Sequence, residues 1–95
     1  LMKSTGVLIN LARGPVVDSK ALAEALNQDR LAKACIDVFE TEPPIEENHP
    51  LLKAKNTLLT PHIAFATEES MIIRAEITFD NVYSYLEGSI KNQVI

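Results

Sequence analysis

Three short apolar runs, each closed by a turn signal, are followed by one long amphipathic stretch. Gly6 to Ala12 (GVLINLA) is apolar and rich in branched side chains and ends on Arg13-Gly14-Pro15. That pattern predicts a buried strand running into a tight turn. Asp18 or Ser19 can cap a helix over 19–28, in which Leu22, Ala25 and Leu26 recur at i, i+3 and i+4 before Asn27-Gln28-Asp29 weakens the pattern. Lys33 to Phe39 (KACIDVF) is the second apolar run. A strand, a helix of about three turns and another strand within about 30 residues make a βαβ unit. The two strands should therefore be parallel with a right-handed crossover, and the helix should cover one sheet face.

Glu40 to Pro50 contains three prolines and four glutamates and reads as an irregular surface segment, with Leu51-Leu52 docking it back onto the body. Asn56 to Thr60 (NTLLT) is a third short strand, stopped by Pro61. Thr67 offers an N-cap hydroxyl to a helix with Glu68 and Glu69 in its first turn, where the helix dipole favours them. Ile72, Ala75, Phe79, Val82, Tyr83 and Leu86 keep one face of that helix apolar, and Gly88 can supply a left-handed stop. At roughly 30 Å, helix 67–87 is longer than three strands can cover, so part of it is expected to pack on something outside this sequence. The expected fold class is α/β, with about three parallel strands, a crossover helix and a long C-terminal helix. A division into 1–66 and 67–95 follows.

The 95 residues allow one domain at most, and 46% hydrophobic and 23% charged residues with five prolines and three glycines exclude disorder and a collagen-like chain. The longest unbroken apolar run, Ile63 to Ala66, is four residues, against roughly 18 to 20 for a bilayer span, and no signal-peptide core is present at the N-terminus. No membrane partner is expected. Nine basic against 13 acidic side chains, a net charge of −4, and only three Phe and two Tyr argue against nucleic acid. Residues 36–49 concentrate five acidic and no basic side chains, which reads most simply as a solvated loop. The single Cys35 lies in the second apolar run and reads as a small core residue. With two histidines it forms no zinc pattern, so no metal is expected, and a reducing, cytoplasmic compartment fits. The chain opens on Leu1 a few residues before an apolar strand, which reads as a fragment of something longer.

Parallel strands carry ligands just past their carboxyl ends. Arg13 follows the first run, Asp37 and then Glu42 the second, and His62 the third, so all lie along one sheet edge. A guanidinium fork matches a carboxylate bidentately, so Arg13 can fix a substrate's acid group and polarise a neighbouring carbonyl. Imidazole titrates near neutral pH, so His62 can exchange a proton with a hydroxyl or carbonyl oxygen. A carboxylate beside the ring, the role open to Glu42, favours imidazolium and fixes its tautomer. Each residue also has a plainer reading: Arg13 as a solvated turn cation, Asp37 as a strand-end cap, Glu42 as a loop acid, His62 as a surface residue after a proline. His49 reads as a solvated loop residue. On the residues alone, this is half of an α/β site for an anion with an acid–base histidine.

Taken together, Ile9-Asn10-Leu11-Ala12-Arg13-Gly14, Val16-Val17-Asp18, Ile36-Asp37-Val38-Phe39-Glu40-Thr41-Glu42-Pro43 and Leu59-Thr60-Pro61-His62-Ile63-Ala64 resemble the NAD-dependent D-isomer-specific 2-hydroxyacid dehydrogenases. That family includes phosphoglycerate, glycerate and D-lactate dehydrogenases. The resemblance spans nearly the whole chain in four ordered motifs. It implies the second half of a Rossmann-like NAD-binding domain, followed by a helix that crosses back toward a substrate lobe. It also implies an oxidoreductase moving hydride between nicotinamide and a small D-2-hydroxy or 2-keto acid, cytoplasmic and a homodimer when intact. Arg13 matches the arginine that binds the substrate carboxylate and carbonyl, His62 the general acid/base, and Glu42 the acid paired with that histidine. Glu40 sits at a variable position. Asp37 resembles the aspartate that contacts the nicotinamide carboxamide. Leu11, Ala12, Arg13 and the stretch His62, Ile63, Ala64 and Phe65 match segments against the nicotinamide end of the cofactor.

The sequence departs from the family at one place. With only Gly6, Gly14 and Gly88, it lacks the G-x-G-x-x-G turn that holds the pyrophosphate and the acidic residue that reads the ribose. The isolated residues are therefore expected neither to bind NAD usefully nor to turn over, and NAD against NADP stays open. Formate dehydrogenases resemble the pattern with glutamine in place of the histidine's acid partner, so Glu42 counts against them. A corepressor of the same fold that senses NAD(H) and binds partners is the alternative of a different class. A stand-alone small-anion binding domain is disfavoured, because helix 67–87 would then expose its apolar stripe.

Overall fold

The computed structural model describes residues 1–41 and 44–94, which divide into two compact units, Leu1–Ala64 and Phe65–Ile95. The first unit holds the strands β1 (Val7–Asn10), β2 (Lys33–Ile36) and β3 (Thr57–Leu59) with the helix α1 (Ser19–Asn27). Two 3-10 turns, Gly14–Val16 and Pro50–Leu52, complete it. The strands lie in the order β1-β2-β3 and both pairings are parallel, as the βαβ reading requires. Each strand is shorter than its apolar run, because the chain from Leu11, Asp37 and Thr60 onward has left the ladder for the turns.

Register sorts the side chains onto two faces. Leu8 aligns with Ala34 and Thr57, and Asn10 with Ile36 and Leu59, on the side that packs against α1. Leu22, Ala23 and Leu26 of α1 join Leu31, Ala34, Ile36, Phe39 and Leu51 in one buried cluster. Leu51 does dock the loop, at 1% exposure, but Leu52 stays exposed. The opposite face carries Ile9, Cys35 and Leu58 in register, with Ile9 at 64% and Leu58 at 62% exposure. The expectation of a buried first strand therefore holds for one face only, since Ile9 on the other is exposed. Cys35, expected in the core, lies on that second face and is half-buried.

The Asp18 carboxylate caps α1 by accepting from the Ala21 amide at 2.9 Å, and Ser19 is the first helical residue. In the second unit α2 (Glu68–Leu86) starts with a reciprocal cap: Thr67 Oγ1 accepts from the Ser70 amide and Ser70 Oγ from the Thr67 amide, each at 3.2 Å. It ends at Glu87, with Gly88 in the left-handed region at φ +78°. Ile72, Phe79, Val82, Tyr83 and Leu86 are exposed along α2. Among the described residues no helix is long and apolar enough to cross a membrane.

Candidate active site

Because the three strands are parallel, the turns leaving their carboxyl ends share one edge of the sheet. The first is built by Asn10, a buried polar residue at the last position of β1. Its Oδ1 accepts from the Ala12 amide at 3.1 Å and its Nδ2 donates to the Arg13 carbonyl at 2.9 Å. The chain then turns sharply and presents Leu11, Ala12 and Arg13 outward, all exposed. The Arg13 guanidinium donates to the carbonyl of Ala12 at 2.7 Å. Gly14 follows against the backbone of Phe39 and Glu40, where a Cβ would lie 1.9 Å from the Phe39 carbonyl. Only glycine permits that approach, which holds the arginine turn against the segment leaving β2.

That segment opens with Asp37, whose amide donates to the Asn10 carbonyl at 3.1 Å. The side chain of Asp37 is 1% exposed. Such a carboxylate is costly unless hydrogen bonds replace its water. Oδ1 accepts from the Thr60 hydroxyl and from the Ile63 amide at 2.9 Å, and Oδ2 from the Ala64 amide at 2.9 Å. Burial opposes ionisation, but the bonds from Thr60, Ala64 and Ile63, with the charge His62 can carry, outweigh it and hold the carboxyl below its ordinary 3.8. Asp37 thus ties the turn after β3 to the end of β2. Within that turn His62 is half-buried, with φ +57° in the left-handed region, and Ile63 and Ala64 are exposed.

Of the residues singled out in the sequence, Leu11, Ala12, Arg13, Asp37, His62, Ile63 and Ala64 lie in these connected turns. Phe65 opens the second unit, where its carbonyl accepts from the Ser70 hydroxyl and the Arg74 guanidinium lies 5.1 Å from its ring centroid. Glu42 lies outside the described residues, as does the pairing with His62 expected of it.

His49 is a correction. Its side chain is only 12% exposed, with Nε2 3.1 Å from Glu40 Oε2, Nδ1 accepting from the Leu51 amide at 3.3 Å, and the ring edge-on to Phe39 at 5.3 Å. The loop folds back through Leu51, which the acidic composition conceals. Burial raises the Glu40 carboxyl, but hydrogen bonds from Ser19, His49 and its own backbone amide, with the charge of His49, bring it from 4.5 to about 2. Glu40 is therefore committed to the pair with His49. Asn10 and Thr60 were given no role in the sequence. The signal for Asn10 was a lone amide side chain inside an apolar strand run, and for Thr60 a hydroxyl at the strand end beside Pro61.

The residues fit part of a dinucleotide. Leu11, Ala12, Ile63 and Ala64 are exposed apolar residues in the turns that also carry Arg13 and His62. None of the three glycines makes a phosphate cradle: Gly14 faces backbone, Gly88 ends α2, and Gly6 precedes β1 with its amide bonded to Lys3.

A parallel α/β sheet with polar turns gathered at its carboxyl edge defines the Rossmann-like class. Residues 1–64 match the family model of the D-isomer specific 2-hydroxyacid dehydrogenase, NAD binding domain, and the chain belongs to that family. It is 49% identical over 89 residues to the glyoxylate reductase of Thermofilum pendens, covering 94% of this chain and 26% of that protein. Among solved structures, an acyclic imino acid reductase in complex with NADPH and D-Arg superposes with a TM-score of 0.87 at 30% identity, over 99% of this chain and 29% of its own. A D-lactate dehydrogenase from Sporolactobacillus superposes at 0.81 and 35% identity, over 98% and 32%. The chain thus spans between a quarter and a third of the length of these relatives.

Proposed function

We propose that these residues form the nicotinamide and substrate end of an oxidoreductase acting on small 2-keto and D-2-hydroxy acids. The observation that carries this reading is the Asp37 carboxylate, buried at the end of β2 and accepting from the Thr60 hydroxyl before His62 and from the Ile63 and Ala64 amides after it. Bound NAD(P)H would supply the hydride that reduces the 2-carbon. The Arg13 fork binds the substrate carboxylate and draws electron density from the adjacent carbonyl. His62 donates a proton to that carbonyl oxygen, and takes it back when the hydroxy acid is oxidised. Glu42, as the family pattern implies, stabilises the imidazolium. Leu11, Ala12, Ile63 and Ala64 line the nicotinamide side, and Asp37 orders the turn that carries Ile63 and Ala64. The phosphate cradle belongs to residues beyond this sequence, so the 95 residues alone bind the cofactor poorly and are inactive. The relatives' names favour glyoxylate among the acids, and NADPH stands beside NADH as a donor.

The test is oxidation of NADH and NADPH by the full-length protein in the presence of glyoxylate, hydroxypyruvate and pyruvate. Turnover is expected with at least one 2-keto acid and none with acetate, which lacks the carbonyl. Absence of turnover with every 2-keto acid and both cofactors, in a folded protein, overturns the proposal.

A further inference from the structure

The turn that carries His62 is held in a conformation its own residues do not favour. A histidine at φ +57° lies where a Cβ crowds the backbone, and only surrounding bonds that over-determine the geometry keep it there. Those bonds converge on Asp37 from both sides of His62: Thr60 precedes it, and Ile63 and Ala64 follow. Two of the three donors are amides that almost any residue would supply. Thr60 is the one side chain in the set, so the choice of residue at position 60 decides whether the latch closes on the N-terminal side of the imidazole.

We propose that Thr60, by donating its hydroxyl to the buried Asp37 carboxylate, is a positioning residue that aims the His62 imidazole at the substrate oxygen. This rests on the acid–base reading of His62. Proton transfer requires the ring within hydrogen-bond reach of the substrate oxygen, and a shift of about 1 Å can lower a rate on the order of a hundredfold. Arg13 and the apolar residues before it belong to a different turn, clamped by Asn10, and the Ile63 and Ala64 amides still hold their side of the latch to Asp37, so binding should change little when the Thr60 bond alone is lost. The expected signature is a defect in kcat rather than in KM.

The test uses the full-length protein. Thr60→Val, which keeps the shape and removes the hydroxyl, should lower kcat at least about tenfold while KM for the keto acid and affinity for NADH stay within about twofold. Thr60→Ser restores the donor and should return kcat to within about threefold of the parent. Should Thr60→Val fail to fold, Thr60→Ala carries the same comparison. In a His62→Ala background, Thr60→Val should lower the residual rate no further, because its effect runs through the imidazole. A kcat for Thr60→Val within about twofold of the parent, a Thr60→Ser variant as slow as Thr60→Val, or an undiminished effect of Thr60→Val without His62 overturns the inference alone. Normal turnover in His62→Ala overturns the acid–base reading itself.

Discussion

The amide of Asp37 donates to the carbonyl of Asn10 at 3.1 Å, and these two residues hold the two turns on which the candidate site stands. Asn10 clamps the turn that presents Arg13, and Asp37 clamps the turn that presents His62. Both are buried polar groups at the carboxyl ends of neighbouring parallel strands. Two side chains distant in sequence therefore share a frame set by the parallel pairing of β1 with β2, of which this bond is the last rung, and by the packing of Gly14 on Phe39.

Loss of the Asn10 side chain should loosen the arginine turn. Asn10→Ala leaves the Ala12 amide and the Arg13 carbonyl without these partners in a partly buried position, at a cost of about 1–3 kcal/mol. Thermal denaturation should register that loss. In the full-length enzyme KM for the keto acid should rise more than kcat falls, since the turn carries the carboxylate ligand.

At position 14 a side chain would collide with backbone. Gly14→Ala places its Cβ 1.9 Å from the Phe39 carbonyl, and neither segment has a flexible side-chain end that could give way. Destabilisation of about 3 kcal/mol or more is expected in chemical denaturation. A variant as stable as the parent would mean that the arginine turn does not sit against the end of β2.

The pattern of apolar runs was enough to place all three strands, both helices and the parallel order, because each run is closed by polar or turn-forming residues: Arg13-Gly14-Pro15, the acidic, proline-rich segment from Glu40, and Pro61. The site's outward-facing residues were legible for the same reason, since parallel strands put their following turns on one edge. The residues that brace the site were not. Asn10 and Thr60 act through hydrogen bonds to positions that only the folded register brings near, and no local spacing encodes them. The burial of His49 is not legible either, because composition records the acidic character of its loop and not the return of Leu51 into the core.

The pair of Glu40 with His49 makes a pH-dependent contribution to stability. The Glu40 carboxyl is lowered from 4.5 to about 2, so its ionised form stabilises the fold fully above about pH 4.5, and that contribution is lost as pH falls toward 2. Glu40→Gln should therefore melt at a lower temperature than the parent at neutral pH, with the gap closing as pH falls from 4.5 toward 2. Asp37, also lowered, works in the same direction and keeps some acid sensitivity in the variant. An unchanged gap across that range would contradict the pairing with Ser19 and His49.

Replacing Arg13 by lysine keeps the charge and removes the planar fork. Loss of one charge-assisted hydrogen bond, about 1.5–3 kcal/mol, should lower kcat/KM for the keto acid on the order of 10- to 100-fold. Steady-state kinetics at varied keto acid will show it, and an unaltered KM and kcat would remove Arg13 from the substrate site.

The most direct test of the account is His62→Ala in the full-length protein, with turnover and NADH affinity measured on the same preparation. The account predicts that kcat falls by about 10²- to 10⁴-fold while the dissociation constant for NADH, from fluorescence titration, changes by less than about threefold. A variant that reduces its keto acid at the parental rate would contradict it, for the proton would then come from elsewhere.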